Sequence, residues 1–256
     1  MMVRDRHRDQ EHFLLDIRTK TESHENRVRK IEQGQIKPER IISVKQSMAA
    51  NLIQKAVSKY SLGSPVDVLT EDFNVIVGLI EESWAGGARK LMGSENTVLD
   101  QYNIDAHIEL LRMLSIGFLC GMPDEFFKRL GKIIKDDNVV DLVFECILAS
   151  KLNSWEMRPE FESYAFKLYL NLKKAIVQSD KEEAEKLIKI FLENDWAKEQ
   201  KKAQMFTEPN KSWYHGMWSF ESAALVAIKD LDDTSFRDNE YYPKDLVDYY
   251  RSNHPA

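Results

Sequence analysis

Long apolar runs are missing from this 256-residue chain. No stretch approaches the ~18 residues that a membrane span needs, so no transmembrane helix is expected. Glycine and proline are scarce, at 10 and 7 residues, which leaves room for long uninterrupted helices and little for turn-rich β architecture. There are only two cysteines, Cys120 and Cys146, set among apolar residues without Cys-x-x-Cys spacing. A disulfide framework is therefore excluded, and two buried reduced thiols are expected. An excess of positive charge is also lacking. The net charge is −6 and the isoelectric point about 5.6, which argues against direct nucleic-acid binding. Walker loops, nucleophile elbows and His-Glu-x-x-His zinc motifs are absent, so no catalytic residue and no cofactor are expected. The N-terminal residues Arg4, Asp5, Arg6, His7 and Arg8 lead into charge rather than an apolar signal core, giving the expectation of a cytoplasmic protein without a cleaved export signal.

What is present points to helices. The hydrophobic fraction of 43% is ample for a core, and the 30% of charged residues comes as mixed Lys/Glu stretches typical of solvated helix faces. The first ~35 residues carry a sparse stripe of Phe13, Leu14, Ile17, Val28 and Ile31, which predicts one or two exposed helices packed along a narrow seam. From Pro38 the apolar positions Ile41, Met48, Leu52, Ile53, Ala56 and Tyr60 predict a helix that ends at Gly63-Ser64-Pro65. Ser64 can cap the next segment, with Phe73, Ile76, Val77, Ile80 and Trp84 on one side and a stop at Gly86-Gly87.

Further helices are predicted from Ile104 to Gly121 and from Pro123 to Asp136. The run from Val139 to Leu148 could pass locally for a strand and is read as a buried helix. Between Glu160 and Asn194 two amphipathic helices, with Phe161, Tyr164 and Leu168 on the first, meet at Ser179-Asp180. There Asp180 and Glu183 form a capping-box pattern. The expectation is an all-α bundle of antiparallel helical hairpins, with an N-terminal region over residues 1–122 and a C-terminal domain over residues 123–256.

From Trp213 the composition changes. The run Trp213-Tyr214-His215-Gly216-Met217-Trp218-Ser219-Phe220-Glu221-Ser222-Ala223-Ala224 sets aromatics against small residues. An Asp232-Asp233-Thr234 turn follows, then Tyr241-Tyr242-Pro243-Lys244-Asp245-Leu246-Val247, where Pro243 can open a last helix. This pattern resembles the C-terminal domain of the polymorphic-nuclease immunity family, PoNi, with a histidine inserted into that family's tyrosine–glycine pair. Arg4-Asp5, Lys59-Tyr60-Ser61-Leu62-Gly63, Val68-Leu69 and Trp84 are similar to its N-terminal domain. The resemblance implies an immunity protein whose partner is a metal-dependent DNase toxin delivered between bacteria. A helical scaffold or adaptor for a non-nuclease partner is the alternative, and self-association stays open.

Residues 213–256 hold eight acids against four bases, so their difference of −4 is most of the chain's −6. A toxin that grips DNA needs a basic cleft, and an acidic face would steer association with it. The residues expected to touch the partner are Glu221, Asp232, Asp233, Asp238, Tyr241, Tyr242 and Asp245. Metal binding by Asp232, Asp233, Asp238 and Asp245 is the weaker reading, because their spacing fits neither an EF-hand loop nor a nuclease motif. Trp218 is read as core. The spacings of Arg6 to His12 and Arg18 to His24, which resemble those of some helical ribonucleases, are read as chance in a segment rich in both residues.

Overall fold

The computed structural model describes residues 2–158, 169–202 and 208–254. The fold is mostly α-helical and divides into two compact units, Met1–Arg89 with Thr207–Gly216, and Lys90–Phe206 with Met217–Ala256. The chain thus returns to the first unit for ten residues, 207–216, before completing the second.

In the first unit the N-terminal stripe forms one helix, α1 (Gln10–Glu32), capped by Asp9, which accepts the His12 amide. Its seam against α2 (Ile41–Leu62) differs from the apolar one expected. Phe13 is fully buried, but the next inward positions are Asp16 and Lys20, while Leu14 and Leu15 face out. Asp16 accepts bonds from Lys20 and from Ser58 on α2. Burial pushes the Lys20 ammonium below its ordinary pKa, and the charge of Asp16 opposes that fall. Ion pairs Lys55–Asp72 (2.9 Å) and Lys59–Glu71 (2.7 Å) fasten α2 to the start of α3 (Phe73–Trp84).

α2 ends as predicted at Gly63, whose φ of 89° is the left-handed conformation that lets the chain reverse there. Ser64 does not cap the following segment. A short 3-10 turn, Val66–Val68, begins after Pro65 with no side-chain cap.

The second unit opens with a feature the sequence reading did not assign, a hairpin of β1 (Lys90–Met92) and β2 (Val98–Tyr102). Lys90 ties it down through Asp100 (2.6 Å) and the Asp137 carbonyl (2.9 Å), and the Tyr102 hydroxyl donates to Asp137 (2.9 Å). α4 (Ile104–Leu119) follows, capped by Asn103, then α5 (Asp124–Asp136) after Pro123. Gly117 permits their close approach, since a Cβ there would stand 2.6 Å from the Phe126 ring.

The strand-like run resolves into an extended lead and α6 (Leu142–Lys151), because Asp141 accepts the amides of Val143 and Phe144 and starts the helix. Asp141 also meets His107 (3.3 Å) and Lys173 (3.0 Å). Burial pushes its pKa up, but the bond and charge of His107, together with Lys173, hold it well below the usual carboxylate range.

α7 (Leu170–Val177) and α8 (Lys181–Ile190) meet at Asp180, which accepts the Glu183 amide at 3.1 Å. The reciprocal arm differs from the expected box. The Asp180 amide donates to Gln178, and Glu183 pairs with Lys186 instead. Phe161, Tyr164 and Leu168 lie outside the described residues. A π-helical turn, Phe191–Asp195, leads into α9 (Trp196–Lys202), and α10 (Phe220–Lys229) and α11 (Lys244–Asn253) finish the unit.

Cys120 and Cys146 are free thiols but only half-buried. Burial pushes the Cys146 pKa up to about 11, which keeps it a thiol.

Candidate functional site

Two stretches carry the surface chemistry of the C-terminal region. The first, residues 229–253, is built around Asp233. This carboxylate is 4% exposed and accepts bonds from Arg237 (2.9 Å), the Tyr242 hydroxyl (3.1 Å) and Arg251 (3.3 Å). Arg251 also donates to the Leu231 carbonyl, and Arg237 to Asp248. Burial, and then the adjacent Asp233 charge, push the Tyr242 hydroxyl far above its ordinary range. Asp233 and Tyr242 therefore tie the loop to α11 and have no surface to offer a partner, contrary to the sequence expectation.

Glu221 is corrected in the same way. It sits in the first turn of α10, 4% exposed, and accepts bonds from the Trp196 indole (2.7 Å) and Ser219 (2.9 Å). Burial raises its pKa, opposed by its own amide, Ser219, Trp196 and the charge of Arg112. The small cleft beside it, lined by Arg112, Tyr169, Trp196, Gln200 and Trp218 among others, has space for about one water molecule. Trp218 is buried, as read from the sequence, and so are Phe220, Ala223 and Ala224 where α10 packs on α4.

The other expected contact residues keep outward area. Asp232 is exposed, and its carboxylate accepts the Thr234 amide (2.9 Å) and hydroxyl (2.6 Å), bonds that lower its pKa. Asp238 is exposed and paired with Lys244 at 2.7 Å. Asp245 is half-buried in the first turn of α11. Tyr241 is half-buried with its ring 4.9 Å from Trp196, and burial followed by Glu240 pushes its hydroxyl up to about 12.

The structure adds neighbours that are remote in sequence. Glu185 of α8 accepts the Asp232 amide (2.8 Å), and Lys181 bonds the Asp230 carboxylate (3.1 Å). The acid-rich loop thus adjoins the acid-rich first turns of α8. Among the described residues no group of three or more acid, histidine or cysteine side chains is arranged to hold a metal ion.

The second stretch, residues 208–216, belongs to the first unit and lies as a strap across the N-terminal end of α1. Arg8 donates to the carbonyls of Pro209 and Lys211, and His12 to that of Tyr214 (2.7 Å). Ser61 donates to the His215 carbonyl (2.9 Å), and the inserted His215 turns its ring back to the Trp213 carbonyl (3.3 Å). The buried Tyr214 hydroxyl donates to Asp5 at 2.7 Å. Between these fixed points Trp213 is 62% exposed. No signal in the sequence separates Trp213 from Tyr214, because which of two adjacent aromatics turns inward depends on residues 5 and 12.

Among solved structures, the crystal structure of protein PA2201 from Pseudomonas aeruginosa matches with 16% identity and a TM-score of 0.66, covering 98% of this chain and 91% of that one. At this identity the likeness speaks for the fold alone. No curated protein matches the chain. Two family models do. The one described as "PoNe immunity protein (PoNi), N-terminal" matches residues 4–132, and "PoNe immunity proteins (PoNi), C-terminal" matches residues 139–246. The two models meet between residues 132 and 139, whereas the packing divides at Arg89 and returns at Thr207. With both halves of the pattern present in order, the chain belongs to the PoNe immunity protein (PoNi) family.

Proposed function

We propose that this protein acts in the cytoplasm by binding a PoNe-type DNase toxin directly and keeping its nuclease cleft from DNA, with no turnover and no cofactor. The observation that carries the reading is the pair of family matches, which together span almost the whole chain and name an immunity protein in both halves. A nuclease must present positive charge to phosphates, so an inhibitor with exposed carboxylates is attracted to the same cleft and competes with DNA for it. Asp232, Asp238, Asp245 and Tyr241 remain the contact candidates on this face. Among the described residues no helix is long and apolar enough to cross a membrane.

Co-expression tests the reading. Cells producing a cognate PoNe-type DNase toxin are expected to survive when the chain is co-produced, and the two purified proteins are expected to form a complex in which DNA cleavage stops. Continued killing, together with the absence of a complex on size-exclusion chromatography, would overturn it.

A further inference from the structure

We propose that the cleft between α4, α9 and α10 is a built site for one water molecule, which bridges the Arg112 guanidinium to the Glu221 carboxylate inside the second unit. Arg112 of α4, Gln200 of α9, Glu221 of α10 and Tyr169 line this cleft together, and it has room for about one water. Glu221 is 4% exposed. Among the described residues its bonds from other residues, the Trp196 indole and the Ser219 hydroxyl, both reach Oε1, and none reaches Oε2. A buried carboxylate oxygen left without a donor is costly, so a donor inside the cleft stabilises the fold.

Arg112 supplies the other half of the site. Among the described residues its guanidinium makes no direct hydrogen bond or ion pair, and it interacts through space with Tyr169, Glu221 and Glu109. Burial lowers its pKa, and Tyr169 with the charges of Glu221 and Glu109 opposes that fall. A guanidinium has donors only and an ionised carboxylate has acceptors only. Whatever fills the gap between them must therefore accept from one and donate to the other, which water does. An anion there would meet the charge of Glu221, and a metal ion that of Arg112, while the space admits nothing larger. The Tyr169 hydroxyl, bonded to Gln200, adds a third polar partner, within the roughly two to four that a buried water takes. The bridge ties α4 to α10, the helix that leads into the acid-rich loop, without direct contact between the two charges.

A crystal structure of the full chain at a resolution that shows ordered water tests this. One density peak is expected within hydrogen-bond distance of both the Arg112 guanidinium and Glu221 Oε2, with no anomalous signal there after a bromide soak. Arg112→Met is expected to lose that peak and to melt at a lower temperature than the wild type. An empty cleft, a direct Arg112–Glu221 ion pair, or a bromide peak in the gap would each overturn the proposal. So would a water that keeps its place in Arg112→Met, because the guanidinium would then not be what holds it. The wild-type map decides the matter even if Arg112→Met does not fold.

Discussion

Residues 208–216 and 229–253 are built in opposite senses. In the first, polar groups point inward, with Arg8, His12 and Ser61 holding backbone carbonyls and Asp5 holding the Tyr214 hydroxyl, and the largest apolar side chain is left outside. In the second, the aromatics Phe236 and Tyr242 are buried and most of the acids face out, two of them, Asp248 and Asp238, already paired with Arg237 and Lys244. Composition alone suggests the reverse emphasis, since the acid-rich segment looks like the more reactive surface. Formal charge overstates what a partner can reach there: of its acids, Asp233 is structural, and Asp248 and Asp238 sit in ion pairs.

The largest effect should come from breaking the second stretch at its hub. Asp233→Ala removes the acceptor of two guanidinium groups and one buried hydroxyl. Because Arg237 and Arg251 are about a third exposed and can turn to water, the expected cost is reduced to ~2–3 kcal/mol rather than that of a fully buried pair. Thermal unfolding followed by circular dichroism should register this as a melting point lower by roughly 5–10 °C. A variant as stable as the wild type would mean that Asp233 is a surface acid after all.

Most of the helical architecture was legible in the sequence because its boundaries are set locally. Gly63, Pro123, Asp180 and Pro243 terminate or start helices through their own backbone and capping chemistry. The seam of α1 was not legible, because Asp16 and Lys20 read as solvated charges until Ser58 on another helix supplies a partner. The site was legible only in part for the same reason. Asp232 and Asp233 are chemically identical neighbours, and only Arg237, Arg251 and Tyr242 decide that one is buried and the other exposed. The hairpin at 90–102 escaped because β1 is three residues long, too short for alternation to register.

Tyr214→Phe tests the first stretch from the inside. Loss of the bond to Asp5 leaves a buried carboxylate oxygen short of one donor, at an expected cost of ~1–2 kcal/mol in the stability of the first unit. Unchanged stability would mean that the amides of His7 and Arg8 satisfy Asp5 without the tyrosine hydroxyl.

Glu221 offers a pH handle on the second unit. Its folded pKa is raised by burial, so its contribution to stability is complete below the ordinary carboxylate range and is lost as pH rises through the folded value. Glu221→Gln resembles the protonated form. Its melting point relative to the wild type should therefore rise as pH increases from the ordinary carboxylate range, about 4, into the neutral range. A difference that stays flat over this range would show that Arg112 compensates the charge in full.

The smallest effect on the fold should come from the exposed acids. Asp232→Asn with Asp238→Asn removes two charges while leaving an oxygen to accept the Thr234 bonds, and the Asp238–Lys244 pair it breaks is a surface pair of little worth. Stability is expected to stay within about 0.5 kcal/mol of the wild type. The association rate with the toxin should fall by about a few-fold at low salt, and that difference should shrink as salt is added, because screening removes steering first. Dissociation should barely change. Stopped-flow association at several ionic strengths therefore reads whether the acidic face guides the encounter. Equal effects on association and dissociation would mean that these acids act in the bound complex rather than in the encounter.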